Sequence, residues 1–119
     1  MAYQNTVLSL NPDGQTLLGL ESTLRENGFE VVSVSTPLEA RFEIEMGRCG
    51  VFVTSYITPF AIYCDLVSLF RRSCPLNGMV VYLADRHIEE SPADIVFFAE
   101  DEPQTIVKKL SSGQQKGAS

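Results

Sequence analysis

The sequence predicts an α/β protein built on a five-stranded parallel sheet. Three observations carry that prediction. Short apolar runs recur over residues 7–10, 31–34, 51–53, 79–84 and 95–99. Each is nearly continuous rather than alternating, as strands read when helices cover both sheet faces. Segments of helical apolar spacing separate most of them, and such alternation produces parallel strands joined by right-handed crossovers.

The elements follow in order. The first strand runs into the turn-forming stretch Asn11-Pro12-Asp13-Gly14. A helix over 15–27 carries Leu17, Leu20 and Leu24 at helical spacing, with Leu18 beside them. Gly28 supplies the left-handed position just past its end. After the second strand, Thr36-Pro37-Leu38-Glu39 is a capping box with proline at the first helical position. That helix reaches about Met46, and Gly47 ends it. A third helix over 63–73 presents Leu66, Leu69 and Phe70, and Pro75 closes it. Between the fourth and fifth strands only residues 85–94 are available, with Pro92 near the end. A parallel crossover including its helix takes at least ~10–12 residues, so a single turn or an irregular loop is expected there. A short last helix covers 103–110, and the polar residues 111–119 read as a frayed tail. There is no internal repeat, low-complexity tract or interdomain linker, so the expected organisation is one domain over 1–110 and a flexible tail over 111–119.

Bulk properties exclude several functions. A chain of 119 residues, 45% hydrophobic and 20% charged, holds one real core. Its net charge of −6 repels a phosphate backbone, and Arg71-Arg72 and Lys108-Lys109 are only pairs, so nucleic-acid binding is disfavoured. No apolar run approaches the ~20 residues of a membrane span, and residues 1–6 lack a signal-like basic segment. The expectation is a cytoplasmic protein. Cys49, Cys64 and Cys74 are odd in number and lack CxxC spacing, which speaks for reduced thiols packed in or near the core over a disulfide framework or zinc site.

In such sheets a ligand site lies beyond the carboxyl ends of the strands. Those positions hold residues 11–14, 54–59, 84–87 and 99–102. Their order and spacing are similar to response-regulator receiver domains. The likeness is carried by Val7-Leu8-Ser9-Leu10-Asn11-Pro12-Asp13, by Gly28-Phe29-Glu30-Val31-Val32 before the second strand, by Pro37-Leu38-Glu39-Ala40, and by Val51-Phe52-Val53-Thr54-Ser55-Tyr56-Ile57-Thr58-Pro59. It spans roughly residues 6–110. The resemblance implies a flavodoxin-like (CheY-like) doubly wound sheet in a three-layer α/β/α arrangement, with the fourth crossover helix shortened or missing.

The family's chemistry, as the resemblance implies it, is phosphoryl transfer to an aspartate. It uses an acidic pair that holds Mg²⁺, the acceptor aspartate, a Ser/Thr and a Lys. Here those positions become Asn11 and Pro12 with Asp13 adjacent, then Ser55, Ala84 and Ala99. Mg²⁺ wants carboxylate oxygens, Ser55 cannot form an acyl phosphate, and neither alanine can bind or neutralise a phosphoryl group. The resemblance therefore implies a degenerate receiver with no catalytic residues, no cofactor and weak or absent Mg²⁺ binding. It would act in signalling by contact with a protein partner or a second copy of itself, without nucleic acid or membrane. Tyr56 and Phe60, beside the vestigial pocket, are interface candidates, with core packing the competing reading; Phe97 and Phe98 read as core. Two alternatives stay open. One is a small-ligand sensor using the same crevice, with Asn11, Asp13 and Ser55 at its mouth. The other is an enzyme using Ser55 or a cysteine. His87, the sole histidine, reads first as a solvated loop residue.

Overall fold

The computed structural model describes residues 5–74, 78–85 and 91–116, with side chains to Ser111. Its elements are β1 (Thr6–Leu10), α1 (Leu18–Glu26), β2 (Glu30–Val34), α2 (Pro37–Glu45), β3 (Val51–Ser55), α3 (Phe60–Ser73), β4 (Met79–Ala84), β5 (Ile95–Phe98) and α4 (Pro103–Lys116). The strands form one parallel sheet in the order β2-β1-β3-β4-β5. This is the doubly wound arrangement, with the order reversing between β1 and β3.

The unbroken apolar strands now have their physical reason. Successive side chains alternate between two buried faces. Val7, Val51, Val53, Val81, Leu83, Ile95 and Phe97 pack under α1 and α4 with Leu20, Leu24, Ile106, Val107 and Leu110. Leu8, Leu10, Phe52, Val80, Tyr82 and Ala84 point the other way, against Ala40 and Ile44 of α2 and Tyr63, Leu66, Val67 and Phe70 of α3.

The helix ends follow the expected signals. Glu39 N donates to Thr36 Oγ1 at 3.2 Å and Thr36 N donates to Glu39 Oε1 at 3.2 Å, completing the capping box. Gly28 has φ +89°. Phe29 N reaches Leu24 O at 3.0 Å and Gly28 N reaches Arg25 O at 3.2 Å, a Schellman termination of α1.

Several boundaries differ from expectation. α1 begins at Leu18, because residues 13–16 form a turn closed by the Asp13 carboxylate. β3 extends through Thr54 and Ser55, whose hydroxyls are satisfied internally. α3 begins three residues earlier, at Phe60. α4 continues past Leu110 to Lys116, so most of the stretch expected as a tail is helical; it contains no proline to stop the helix, and one glycine costs only about 1 kcal/mol there.

Among the described residues of the β4–β5 connection, 91–94 are non-helical. The expected turn or loop over 86–90, and His87 with it, lie outside the described residues. What holds the described part is α3. Arg71 Nη2 donates to Pro92 O and to Asp94 Oδ2, both at 3.0 Å. Asp94 Oδ2 also accepts from Val80 N at 2.8 Å. Tyr63 OH meets Ser91 Oγ at 3.0 Å while its ring stacks on Tyr82 at 4.4 Å. Burial pushes the Tyr63 phenol up to about 12.

Candidate functional site: the carboxyl rim of the sheet

All five strands are parallel, so their carboxyl ends share one rim. Over β1, β2 and β3 that rim is polar and closed on itself. Ser9 and Ser33 are partners in the β1–β2 register. Both hydroxyls donate to Glu21 Oε2 of α1, at 2.6 and 2.9 Å, and Asn11 Nδ2 approaches the same oxygen at 3.4 Å. Glu21 is only 3% exposed, and a carboxylate at that depth is tolerated because donors surround it. Asn11 Oδ1 accepts from Leu17 N at 3.3 Å, which fixes the start of α1.

Asp13 is exposed, and its carboxylate is turned back on its own loop. Oδ1 accepts from Gln15 N at 3.1 Å and Thr16 N at 3.0 Å, and Oδ2 accepts from Thr16 Oγ1. The Thr16 hydroxyl, then the Thr16 and Gln15 amides, hold this carboxyl below its ordinary range. Pro12 is half-buried and brings no side-chain oxygen. A hard divalent cation needs several free oxygens. Here the Asn11 amide and the Asp13 carboxylate are already engaged, and no group of three or more His, Cys, Asp or Glu among the described residues is placed to hold a metal. The donor set does not fit Mg²⁺.

Ser55 ends β3 and is fully buried. Its Oγ accepts from Ile57 N at 3.3 Å and its carbonyl from Thr58 N at 3.1 Å, making a tight turn. Thr54 Oγ1 lies 3.2 Å from Leu10 O and 2.9 Å from Thr58 Oγ1, tying that turn to β1. The sequence places Thr54, Ser55 and Thr58 together at the rim, without the bonds that join them, and gives no place there to Glu21. A signal for Glu21 exists: it sits four residues after Leu17 and three before Leu24, on the buried stripe of α1.

Over β4 and β5 the rim changes character. Ala84 is buried and Ala99, just past β5, is exposed. With Tyr56, Asp85, Phe98 and Glu100 they line a concavity of about 200 Å³. A larger one of about 360 Å³ lies between α1 and the start of α4, against Leu17, Leu20, Tyr56, Leu83, Phe97 and Ala99. Tyr56 thus forms a wall of both. Tyr56, Ile57 and Phe60 are 41%, 39% and 49% exposed. Phe60 contacts Tyr63 edge-on at 5.7 Å, so one side of its ring is packed. Phe97 is buried and Phe98 half-buried, as core residues should be.

The sheet order, the helices and the rim define the class of fold: the chain has the receiver-domain, or CheY-like, fold. The receiver domain of Francisella response regulator 1452 superposes with a TM-score of 0.75 at 18% identity, covering 94% of this chain and 98% of that one. A CheY-like receiver domain protein from Methanospirillum hungatei JF-1 gives 0.73 at 16% identity, over 93% and 97%. The same topology is found within a larger enzyme: lysine decarboxylase A from Pseudomonas aeruginosa matches 99% of this chain with 19% of its own length, at a TM-score of 0.74 and 13% identity. No family model and no curated protein matches the sequence.

Proposed function

We propose that the chain is a receiver-like signalling module that works without phosphorylation, through contact with a soluble protein partner in the cytoplasm. The observation that carries this reading is the closed polar rim. The Asp13 carboxylate is occupied by its own turn, and the Asn11 side chain is bonded between Glu21 and the start of α1. Ser55 stands at the end of β3, where the resemblance would place an acceptor aspartate. Ala84 and Ala99 supply no group to bind or neutralise a phosphoryl oxygen. Beside them, exposed Tyr56, Ile57 and Phe60 form the kind of aromatic and aliphatic surface that protein interfaces use. The net charge of −6 favours a protein over a nucleic acid as the partner. The mechanism is recognition of a fixed shape: the turns after β1 and β3 are bonded internally, so the surface is presented without a switching step. A second copy of the chain is the simplest partner to check, by the concentration dependence of its mass in solution. Incubation with acetyl phosphate and Mg²⁺ tests the phosphorylation half, with no acyl phosphate expected.

A second reading has its own observation. The concavity of about 360 Å³ falls within the range of small-ligand sites, roughly 300–1,000 Å³. Its lining differs from the crevice at Asn11, Asp13 and Ser55, so a ligand there would sit between α1 and α4. A thermal-shift screen of metabolites, run on the protein and on Tyr56→Ala, would show a melting shift lost or altered in the variant. The absence of any shift at millimolar ligand would remove this reading.

A further inference from the structure

Cys49 and Cys74 meet at the end of the sheet opposite the rim. Cys49 precedes β3 and Cys74 caps α3, which runs back antiparallel to the strand. Their sulfurs lie 3.8 Å apart, although the residues are 25 positions apart in sequence. The approach is built into the backbone. Gly47 holds φ +68°, and a Cβ there would lie 3.1 Å from the Ser73 carbonyl oxygen, so the turn after α2 packs directly on the end of α3. Cys74 Sγ is also 3.8 Å from Ile44 O of α2. No third His, Cys, Asp or Glu among the described residues joins the pair as a metal ligand set. The remaining thiol, Cys64, lies ten residues before Cys74 on α3, about 15 Å away along the helix axis, and cannot compete within the molecule.

We propose that Cys49 and Cys74 form a reversible intramolecular disulfide when the protein meets a peroxide. The two cysteines have different environments. Cys49 is 2% exposed, and the contact with Cys74, burial and the Glu43 charge all push its thiol upward, so it keeps its proton. Cys74 is half-buried, and its contact with Cys49 lowers its thiol. Cys74 is therefore the attacking group. Its thiolate displaces one oxygen of hydrogen peroxide, giving the sulfenic acid Cys74–SOH and, with a proton, one water. The Cys49 sulfur then attacks the Cys74 sulfur. The S–O bond breaks, and the departing hydroxide takes the Cys49 proton as a second water. Two thiols are oxidised and one peroxide is reduced. Closing the bond requires the sulfurs to approach by about 1.8 Å. The product staples the end of α3 to the start of β3. It is independent of the phosphorylation-free reading, since it uses neither the rim nor a partner.

The test is to treat the full chain with hydrogen peroxide, quench with an alkylating reagent and measure the intact mass. The expected product has lost two hydrogens and carries one alkyl group, on Cys64, with a Cys49–Cys74 peptide after digestion and full reversal by dithiothreitol. Cys64→Ser should lose the same two hydrogens and carry no alkyl group, while Cys49→Ala and Cys74→Ala should lose the product. Because Cys49→Ala alters a buried site, melting adds an independent reading. Oxidised wild-type protein should melt roughly 10 °C above the reduced form, and Cys64→Ser should show the same rise. Three alkylated thiols after oxidation, a sulfinic acid at Cys74 in place of the bond, or only intermolecular linkage through Cys64 would overturn the proposal.

Discussion

The two halves of the carboxyl rim contrast sharply. Over β1–β3 the polar groups bond to one another: Glu21 binds Ser9 and Ser33, Asp13 binds its own exposed turn, and Thr54 binds Thr58 and the Leu10 carbonyl. Over β4–β5 Ala84 and Ala99 leave the rim open, and concavities of about 360 and 200 Å³ remain, walled by Tyr56 and apolar side chains with Asp85, Glu100 and Asp101 among them. The first half holds the fold and offers little to a ligand. The second offers shape, with Tyr56 at the junction. Polar residues at a rim mark a site only if their lone pairs and protons are still available.

The largest effect should come from breaking the closed half. Glu21→Ala leaves the Ser9 hydroxyl buried without its partner and removes charge-assisted bonds. A loss of about 3 kcal/mol in urea unfolding is expected. A loss under about 0.5 kcal/mol, the range of ordinary surface substitutions, would mean the cluster does not hold the rim.

The open half should respond differently. Tyr56→Ala and Phe60→Ala should each change stability by less than about 1 kcal/mol, because both residues stand at the surface with 41% and 49% of their area exposed. Phe60→Ala should be the costlier, since its ring packs on Tyr63. Losses of the size expected at Glu21 would assign these aromatics to the core instead of a contact surface.

The smallest effect is a change of slope with pH. Bonds from Thr16 and Gln15 lower the Asp13 carboxyl, so its contribution is present above the unfolded carboxyl pKa of about 4. That contribution is lost as pH falls through the lowered folded value. Asp13→Asn removes the titration, so the melting gap between wild type and variant should shrink from about pH 6 to about pH 3. A gap unchanged across that range would mean the carboxylate charge is not what the turn uses.

The two halves also differ in how far the sequence reveals them. The capping box at Thr36 and Glu39, the Gly28 termination and the paired strand faces depend on local spacing, and all were readable. Glu21 was legible only as part of a helical stripe, because its partners Ser9 and Ser33 come from two different strands. The Arg71–Asp94 tie joins residues 23 positions apart, and the Cys49–Cys74 approach joins residues 25 apart. Sequence spacing carries no sign of either. Ser55 and Asp13 were placed at the rim from the start. What only the structure supplies is that Ser55 is buried and Asp13 is already bonded.

A rim bonded in this way is proposed not to accept a phosphoryl group. The most direct test is intact-mass measurement after incubation with acetyl phosphate and Mg²⁺ at neutral pH. The expected result is unchanged mass and an unchanged melting temperature with beryllium fluoride, a mimic of the phosphoryl group. Stoichiometric gain of one phosphoryl group, labile to hydroxylamine as an acyl phosphate is, would contradict it.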